Sequence, residues 1–332
     1  MPRRILVTGG AGFIGTHLVR ALLARGDRVR VLSLHADHAA ALAKEGAEVV
    51  VGDLLDRALA PRLVGGVERV FHLAAFVRPL RWLHGLESLR ALYMRQNVEG
   101  ARSLAEACRG RVERFVNVSS VAAGGLGEVD ESVPPRPLTE YGKAKAAAEE
   151  LLHGYHRDWG LPVVSARPGT VYGPGSLPHL VLFRLIRHGV MPTFGPGHNR
   201  TPLVYIDDLV DALLLLEEKG VLGEPYYAVD DPVTMREMGG AIAEALGVRL
   251  SGFYVPRALV DAGAGAKDLL ERVVGLRFCP MRMDLRPENI ACGSSDWVCR
   301  NAKLRALGWS PRVDLKEGMR RTVAWYREQG LL

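Results

Sequence analysis

The sequence predicts an α/β fold, a doubly wound parallel sheet with a smaller, mostly helical C-terminal lobe. Three observations predict it. Short apolar runs alternate with stretches of helical period through the first half of the chain. A glycine-rich turn follows the first apolar run and opens the first helical stretch. Beyond residue 167, prolines and glycines interrupt the alternation, and most of the remaining sequence has helical period.

Apolar runs supply the strands of the first half, and longer amphipathic stretches supply the helices. The predicted strands are 5–7, 28–32, 48–51, 70–73, 114–118 and 163–166. The predicted helices are 13–25, 36–45, 86–108 and 139–159. Because strands alternate with helices, we expect a parallel sheet with right-handed crossovers and helices on both faces. Two later runs, 203–206 and 226–229, are expected to return to the sheet.

The composition indicates an ordinary globular protein. The chain has 332 residues, of which 48% are hydrophobic and 24% charged, with a net charge of +6. These values are unlike those of disordered chains. The basic residues are scattered, so no nucleic-acid partner is expected. No stretch reaches the about 18 apolar residues that a membrane-spanning helix needs, and the first apolar run is too short for a signal peptide.

The four cysteines indicate free thiols. They form no Cys-x-x-Cys pair, and no histidine lies at metal-ligand spacing beside them. We therefore expect no metal site and a cytoplasmic location. The apolar-leaning stretch 253–274 lines a substrate pocket, packs in the core of the small lobe or touches a membrane, so peripheral membrane contact stays open.

The glycine-rich turn predicts a dinucleotide site. Gly10, Gly12 and Gly15 match G-x-G-x-x-G, between a predicted strand and a predicted helix. Only glycine lets the backbone approach a pyrophosphate closely, and the N–H groups of the following helix then bind the anion. The alternative is a glycine-rich turn without a ligand. Together with the alternation of strands and helices, the turn predicts a Rossmann domain of residues 1–167 plus about 203–230. The remaining segments, about 168–202 plus 231–332, are predicted to form a substrate-binding lobe.

A tyrosine and a lysine share one face of a predicted helix. Tyr141 and Lys145 are four residues apart, so their side chains are neighbours. A lysine ammonium stabilises a phenolate and lowers the pKa of the phenol from about 10. Such a phenol exchanges protons with an alcohol or carbonyl oxygen. The alternative is a chance pair on an amphipathic helix. Ser119 and Ser120 end the strand before this helix, where α/β ligand sites form.

These motifs, in this order, resemble the extended short-chain dehydrogenase/reductase family. The stretch 7–15 resembles its glycine fingerprint, 52–54 and 72–75 resemble its adenosine-contacting segments, 97–100 resembles Asn-Val-x-Gly, and 307–311 resembles its C-terminal Leu-Gly-Trp-x-Pro. The resemblance implies a nicotinamide cofactor and a small-molecule substrate. The implied cofactor-binding residues are Gly9, Gly12, Phe13, Ile14, Gly15, Ser33, Asp53, Leu54, Leu73, Ala74, Ala75, Asn97, Ser119, Tyr141, Lys145, Pro168, Gly169 and Val171.

The same resemblance implies a catalytic set. Ser120 would orient the substrate oxygen, with Ser119 as the alternative. Tyr141 would be the acid/base, and Lys145 its electrostatic partner and a ribose ligand. Asn97 would bind cofactor or relay a proton, or would only pack within its helix. The candidate substrate residues are Val77, Ala122, Thr170 and Arg200.

The end of the second predicted strand bears on the choice between NAD and NADP. NAD sites usually carry an acid there, which binds the ribose 2′-hydroxyl. Here Ser33 replaces it, and the arginine typical of 2′-phosphate binders is also missing, with Leu34 near its place. Without the carboxylate, a 2′-phosphate meets less repulsion. The sequence thus favours NADP over NAD, and dual use stays open.

Three functions remain open. Nucleotide-sugar relatives usually have an asparagine where Thr170 stands and an arginine where Thr201 stands; here Arg200 is one position earlier. The acidic pair that dehydratases carry after the serine strand is not matched. The Arg167-Pro168-Gly-x-Val-Tyr form resembles the 3β-hydroxysteroid dehydrogenase and dihydroflavonol-reductase-like branch. We therefore favour hydride transfer between NAD(P) and a secondary alcohol or ketone of an apolar, sterol-, flavonoid- or lipid-like substrate.

Two other functions compete with this one. The first is a nucleotide-sugar 4-epimerase or dehydratase with tightly bound NAD, and the second is a non-catalytic dinucleotide-sensing protein. The family resemblance also implies a homodimer packed through the helices near 86–108 and 139–159. Burial of these helices within a monomer would produce the same pattern.

Overall fold

A parallel sheet of seven strands forms the centre of the protein, in a computed structural model that describes residues 2–77, 88–191, 197–251 and 287–332. The strands are β1 Arg4–Thr8, β2 Arg28–Ser33, β3 Glu48–Val51, β4 Arg69–His72, β5 Arg114–Val118, β6 Gly127–Val129, β7 Val163–Pro168, β8 Thr170–Tyr172, β9 Arg200–Thr201, β10 Leu203–Tyr205, β11 Pro225–Ala228, β12 Val233–Thr234 and β13 Trp297–Cys299. The predicted α/β class is confirmed.

The helices lie between the strands as the alternation predicts. They are α1 Phe13–Ala24, α2 Ala36–Lys44, α3 Leu59–Leu63, α4 Leu89–Tyr93, α5 Gly100–Cys108, α6 Val121–Gly124, α7 Glu140–Trp159, α8 Leu180–Arg187, α9 Ile206–Lys219, α10 Met235–Leu246, α11 Pro287–Ser294, α12 Ala302–Ala306 and α13 Leu315–Glu328. A π-helical turn, Met94–Glu99, interrupts the predicted helix 86–108 between α4 and α5.

The strand order places a ligand-binding edge beside β1. The order is β11-β7-β5-β4-β1-β2-β3, and every pair in this sheet is parallel. The chain winds outward from β1 through β2 to β3, then crosses to β4 on the other side of β1. Ligands of such sheets bind at the carboxyl ends of the strands where the order reverses. Here that point lies between β1 and β4.

Apolar helix faces cover both sides of the sheet. On one side α1 and α9 pack through side chains such as Leu18, Leu22, Leu213 and Leu216. On the other side α5 and α7 pack through side chains such as Leu104 and Leu152. A further core joins α8, α10 and α13, and it includes the buried rings of Phe183 and Tyr326.

One strand prediction was wrong. The run 226–229 joins the main sheet as β11 beside β7, as expected. The run 203–206 does not, because β5 and β11 already occupy both edges of β7. Its strand β10 instead pairs in parallel with β8 in a separate two-stranded sheet. The division into a Rossmann domain and a substrate lobe stays a prediction.

Other sequence predictions meet the structure at single residues. Cys108, Cys292 and Cys299 carry free thiols, whereas Cys279 and the stretch 253–274 lie outside the described residues. Within the described part of the chain, no group of His, Cys, Asp or Glu has the arrangement of a metal site. No described helix is long and apolar enough to cross a membrane.

Candidate active site

The glycine turn brings the carboxyl ends of β1, β2 and β4 together. Gly9 has a left-handed φ of 69°, its N–H donates to the Leu32 carbonyl, and a Cβ there would lie 2.8 Å from the Ala74 nitrogen. A Cβ on Gly15 would lie 2.3 Å from the Gly9 carbonyl oxygen. Gly12 precedes α1 without a capping side chain. The turn therefore has room and free N–H groups for an anion, which fits a dinucleotide pyrophosphate.

A buried hydroxyl ties this turn to the segment after β4. The Thr8 Oγ1 lies 2.8 Å from His72 Nδ1 and accepts the Ala74 N–H. Burial, aided by the positive charge of Lys145, lowers the pKa of His72 to about 3. The imidazole is therefore neutral, and the Thr8 hydroxyl between it and Ala74 keeps the segment after β4 beside the glycine turn.

The ends of β2 and β3 lie beside the turn. The Gly52 N–H donates to the Ser33 carbonyl, which brings Asp53 and Leu54 to the same edge. The Ser33 hydroxyl donates to the His35 carbonyl, and the Asp53 carboxylate accepts the Leu55 N–H. The end of β2 thus presents a serine hydroxyl already engaged by its own loop.

The predicted catalytic side chains meet where β5 ends. Ser120 caps the short helix α6 by accepting the Ala122 N–H, and its hydroxyl lies close enough to the Tyr141 phenol to lower the pKa of that group. Thr139 caps α7 through the Gly142 N–H, which sets the start of the helix that carries Tyr141. The Lys145 ammonium donates to the Val118 carbonyl at 2.6 Å.

Burial works against ionisation of both members of the pair. It raises the pKa of Tyr141 to about 12, although the nearby Ser120 hydroxyl opposes the rise. It lowers the pKa of Lys145 to about 8, with the Glu149 charge acting in the opposite direction. Lys145 alone therefore does not bring the phenol to neutrality, and further positive charge beside the phenol is needed.

Ser119 has the environment of a ligand-binding hydroxyl. Its side chain is buried, and its Oγ has no hydrogen-bond partner within the described residues. An unpaired buried hydroxyl is costly. This unpaired atom lies next to Ser120 at the carboxyl end of β5, which fits a polar group of a bound cofactor.

Asn97 lies in the π-helical turn and binds the backbone of Phe76. Its Oδ1 accepts the Phe76 N–H at 2.6 Å, and its Nδ2 donates to the Phe76 carbonyl. The Tyr93 hydroxyl donates to the Val77 carbonyl in the same way. Asn97 therefore positions the chain before residue 78, and the Val77 side chain is exposed.

The segment after β7 needs a glycine. A Cβ on Gly169 would lie 2.6 Å from the Pro202 carbonyl oxygen, and the Thr170 N–H donates to that same oxygen. Pro168, Gly169 and Val171 thus follow the sheet edge in an extended path. Thr170 is partly exposed and carries no amide where nucleotide-sugar relatives have asparagine.

Arg200 is bound to the carboxylate of Asp296, just before β13. Its guanidinium donates to both oxygens of Asp296, at 3.0 Å for Nε–Oδ1 and 2.5 Å for Nη2–Oδ2. The two residues are 96 positions apart, and no sequence spacing indicated the pair. Among the described contacts, Arg200 does not touch the Ser120–Tyr141–Lys145 set.

A small apolar pocket lies beside the start of α7. Its lining residues are Ala122, Gly125, Leu126, Leu138, Thr139, Cys292 and Trp297. Of these residues, Ala122 donates its N–H to the Ser120 cap of α6, and Thr139 is the cap of α7. Val121 and Ala122 follow Ser120 directly, so these two positions carry no acid.

The sequence analysis missed a buried ion pair behind the catalytic helix. Glu149 lies one turn beyond Lys145 on α7, and its carboxylate accepts from the Nε and Nη2 of Arg167. Arg167 also donates to the Tyr227 hydroxyl. The pair connects α7 to β7 and β11. The spacing of Tyr141, Lys145 and Glu149, four residues each, was the available signal.

The chain is similar to proteins of known structure and name. The model of the NAD dependent epimerase/dehydratase family matches residues 5–228. Sterol demethylase protein B of Methylococcus capsulatus is 33% identical, over 98% of this chain and 99% of its own. The dTDP-glucose 4,6-dehydratase DesIV of Streptomyces venezuelae, solved with NAD and TYD bound, is 30% identical with a TM-score of 0.77, and the match covers 98% of this chain and 97% of DesIV. The UDP-glucose 4-epimerase of Thermus thermophilus, solved with NAD, is 30% identical with a TM-score of 0.74, and the match covers 98% of this chain and 99% of the epimerase.

Proposed function

This chain belongs to the NAD dependent epimerase/dehydratase family, and on that basis we propose that it oxidises a secondary alcohol of its substrate with NAD. The family assignment confirms the resemblance to extended short-chain dehydrogenases. The observation that carries the proposal is the proximity of the Ser120 hydroxyl to the Tyr141 phenol, with the Lys145 ammonium one helical turn further along α7. Together these three side chains can place and deprotonate a hydroxyl group.

The residues of the chain divide the work. When bound, NAD supplies the acceptor for the hydride. Ser120 donates to or accepts from the substrate oxygen and holds it against the phenol. Tyr141 takes the hydroxyl proton as a carbonyl group forms at the substrate carbon, and it returns the proton when the carbonyl is reduced. The Lys145 ammonium favours the ionised phenol.

We propose NAD as the cofactor, held by the glycine turn, the wall at Leu73–Ala75, and Ser119. The solved epimerase and dehydratase carry NAD, and this supports NAD. The preference for NADP, expected from Ser33, stays a prediction. A thermal-shift titration with each dinucleotide tests it, because the tighter ligand raises the unfolding temperature more at equal concentration.

For the substrate we propose a nucleotide sugar, oxidised and then reduced again without net use of cofactor. The named dehydratase and epimerase act on dTDP-glucose and UDP-glucose, which supports this class over the apolar substrates favoured from the sequence. Epimerisation is a better fit than 4,6-dehydration. Elimination needs an acid near the sugar, and Val121 and Ala122 stand where that acidic pair is expected.

A second candidate is an apolar secondary alcohol, oxidised with net turnover of cofactor. Two observations favour it. Thr170 replaces the expected asparagine, and Arg200 is held by Asp296. The similarity to sterol demethylase protein B also supports this candidate.

One experiment separates the two candidates. The purified protein is incubated with UDP-glucose and with dTDP-glucose, and the sugars are examined by NMR. In parallel, nicotinamide absorbance is followed with NAD and 3β-hydroxysterols, flavonoids and hydroxylated lipids. An epimerised sugar without absorbance change supports the first candidate. Cofactor reduction by an apolar alcohol, with no change in the sugars, would replace it with the second.

A further inference from the structure

Arg200 lies close to the segment expected to face the substrate. It belongs to β9, which pairs with β12, and it precedes Pro202 by two residues. The Pro202 carbonyl accepts the Thr170 N–H at 2.8 Å, and β10 then runs beside β8. The guanidinium is 40% exposed, so an anion arriving from solvent can reach it.

Asp296 engages this arginine with its whole carboxylate. Besides the two guanidinium contacts, the Arg200 backbone N–H donates to Asp296 Oδ1 at 2.8 Å. The hydrogen bonds to Asp296 raise the pKa of Arg200, and those same bonds lower the pKa of Asp296. Both groups are thus charged at neutral pH and compensate each other.

The pair has the geometry that arginine also uses for phosphate. A planar guanidinium fork binds a carboxylate or a phosphate through the same two parallel N–H groups. An ion pair with both partners exposed stabilises a fold only weakly, so its exchange for another anion costs little. Other contacts hold the same segment in place: Asn199 Nδ2 donates to the Gly293 carbonyl, and Arg300 pairs with Glu128.

We infer that Asp296 is a specificity-determining residue that competes with the anionic group of the substrate for Arg200. A nucleoside diphosphate binds by displacing the Asp296 carboxylate from the guanidinium, so Asp296 weakens the binding of every diphosphate. The inference rests on the proposed nucleotide-sugar function, because it requires a phosphate at Arg200.

The test is UDP binding to the full chain in the presence of NAD, measured by isothermal titration calorimetry. Asp296→Asn keeps the size of the side chain and removes its charge. We expect its dissociation constant for UDP to fall about three- to tenfold, since the competing charge is lost. Arg200→Gln should weaken UDP binding. Uridine, which has no phosphate, should bind both variants and the wild-type protein alike.

Glu224→Gln is the matched control, because it removes the carboxylate of a separate exposed pair with Lys303 and should leave UDP binding unchanged. A gain in Asp296→Asn that the control lacks supports the inference, even if the wild-type protein binds UDP too weakly to detect. Equal UDP binding by wild type and Asp296→Asn would overturn the inference and leave the nucleotide-sugar function standing. No UDP binding by either protein, together with unchanged sugars in the NMR assay, would overturn both.

Discussion

At the scale of single residues, three side chains carry the proposed chemistry, and burial sets their charge. Tyr141 lies partly exposed between Ser120 and Tyr93, whose ring meets its own edge-on. Desolvation opposes both the phenolate and the ammonium, whereas the Glu149 charge favours the ammonium. Their roles are open to direct test by single substitutions.

Tyr141→Phe should reduce turnover by about 10²- to 10⁴-fold, because the acid/base is lost while the ring remains. NAD binding should change little. Steady-state kinetics on whichever substrate the assays identify, with calorimetry for NAD, measures both. Tyr155→Phe, on the same helix but hydrogen-bonded to Glu106 and Arg102, is the control. Unchanged turnover in Tyr141→Phe would remove the proposed mechanism and favour a non-catalytic protein.

Lys145→Met should change how stability depends on pH. The pKa of Lys145 is lowered from 10.5 to about 8, so between these values the unfolded chain binds a proton that the folded protein has released. The wild-type free energy of unfolding therefore rises with pH across this window relative to the variant. Urea denaturation at pH 7.5 and at pH 10 (about the ends of the window) measures the difference. Lys143→Met, which removes an exposed ammonium, should show no such trend.

At the scale of elements, tight local packing decides which turns and helices tolerate change. Gly15 lies in the first turn of α1, where a Cβ would collide with the backbone of the glycine turn. Gly240 instead lies exposed in the interior of α10, and no atom lies within 4 Å of the position that a Cβ would take there. We therefore expect an alanine to disturb the glycine turn at Gly15 and to stabilise the helix at Gly240.

Gly15→Ala should weaken NAD binding more than about tenfold, because its Cβ would press on the Gly9 carbonyl and distort the pyrophosphate turn. Gly240→Ala should raise the free energy of unfolding by up to about 1 kcal/mol and leave NAD binding intact. Calorimetry and urea denaturation of both variants provide the measurements. Normal NAD affinity in Gly15→Ala would argue against a pyrophosphate at this turn.

A buried cluster of ion pairs joins several elements at the amino ends of the strands. The fully buried carboxylate of Glu217 on α9 pairs with Arg3, Arg25 and Arg69, at 3.2, 2.9 and 3.2 Å. Glu217→Gln leaves these arginines without their shared anion, so we expect a loss of about 3–5 kcal/mol in the free energy of unfolding. Glu45→Gln, which breaks an exposed pair with Arg20, should leave the urea midpoint nearly unchanged. Similar urea midpoints for both variants would show that the buried Glu217 ion pairs do not stabilise the fold.

At the scale of the whole molecule, side chains on the outer faces of α5 and α7 remain partly exposed. Leu151, Tyr155 and Trp159 are only partly buried on α7, and Arg102 on α5 donates to the Tyr155 hydroxyl. We propose that these helices form the interface of a homodimer, and that the Rossmann domain and the substrate lobe follow the predicted division of the chain.

Light scattering after size exclusion should therefore give twice the mass of one chain. Leu151→Arg should shift the protein to a monomer, because a charge would be buried at the interface. Leu177→Arg is the control, since Leu177 is exposed shortly before α8, which packs in the separate core with α10 and α13. A monomeric wild-type protein would show that the two helices serve only the fold of one chain.

The sequence by itself determined the alternation of strands and helices, the glycine turn and the Tyr141–Lys145 pair. These features depend on local period and on spacings of a few residues, which the fold preserves. Only the tertiary structure decided that β10 leaves the main sheet, that Glu149 pairs with Arg167, and that Asp296 holds Arg200. These contacts join positions far apart in the chain, and their partners are chosen by packing and charge in three dimensions, which no local pattern records.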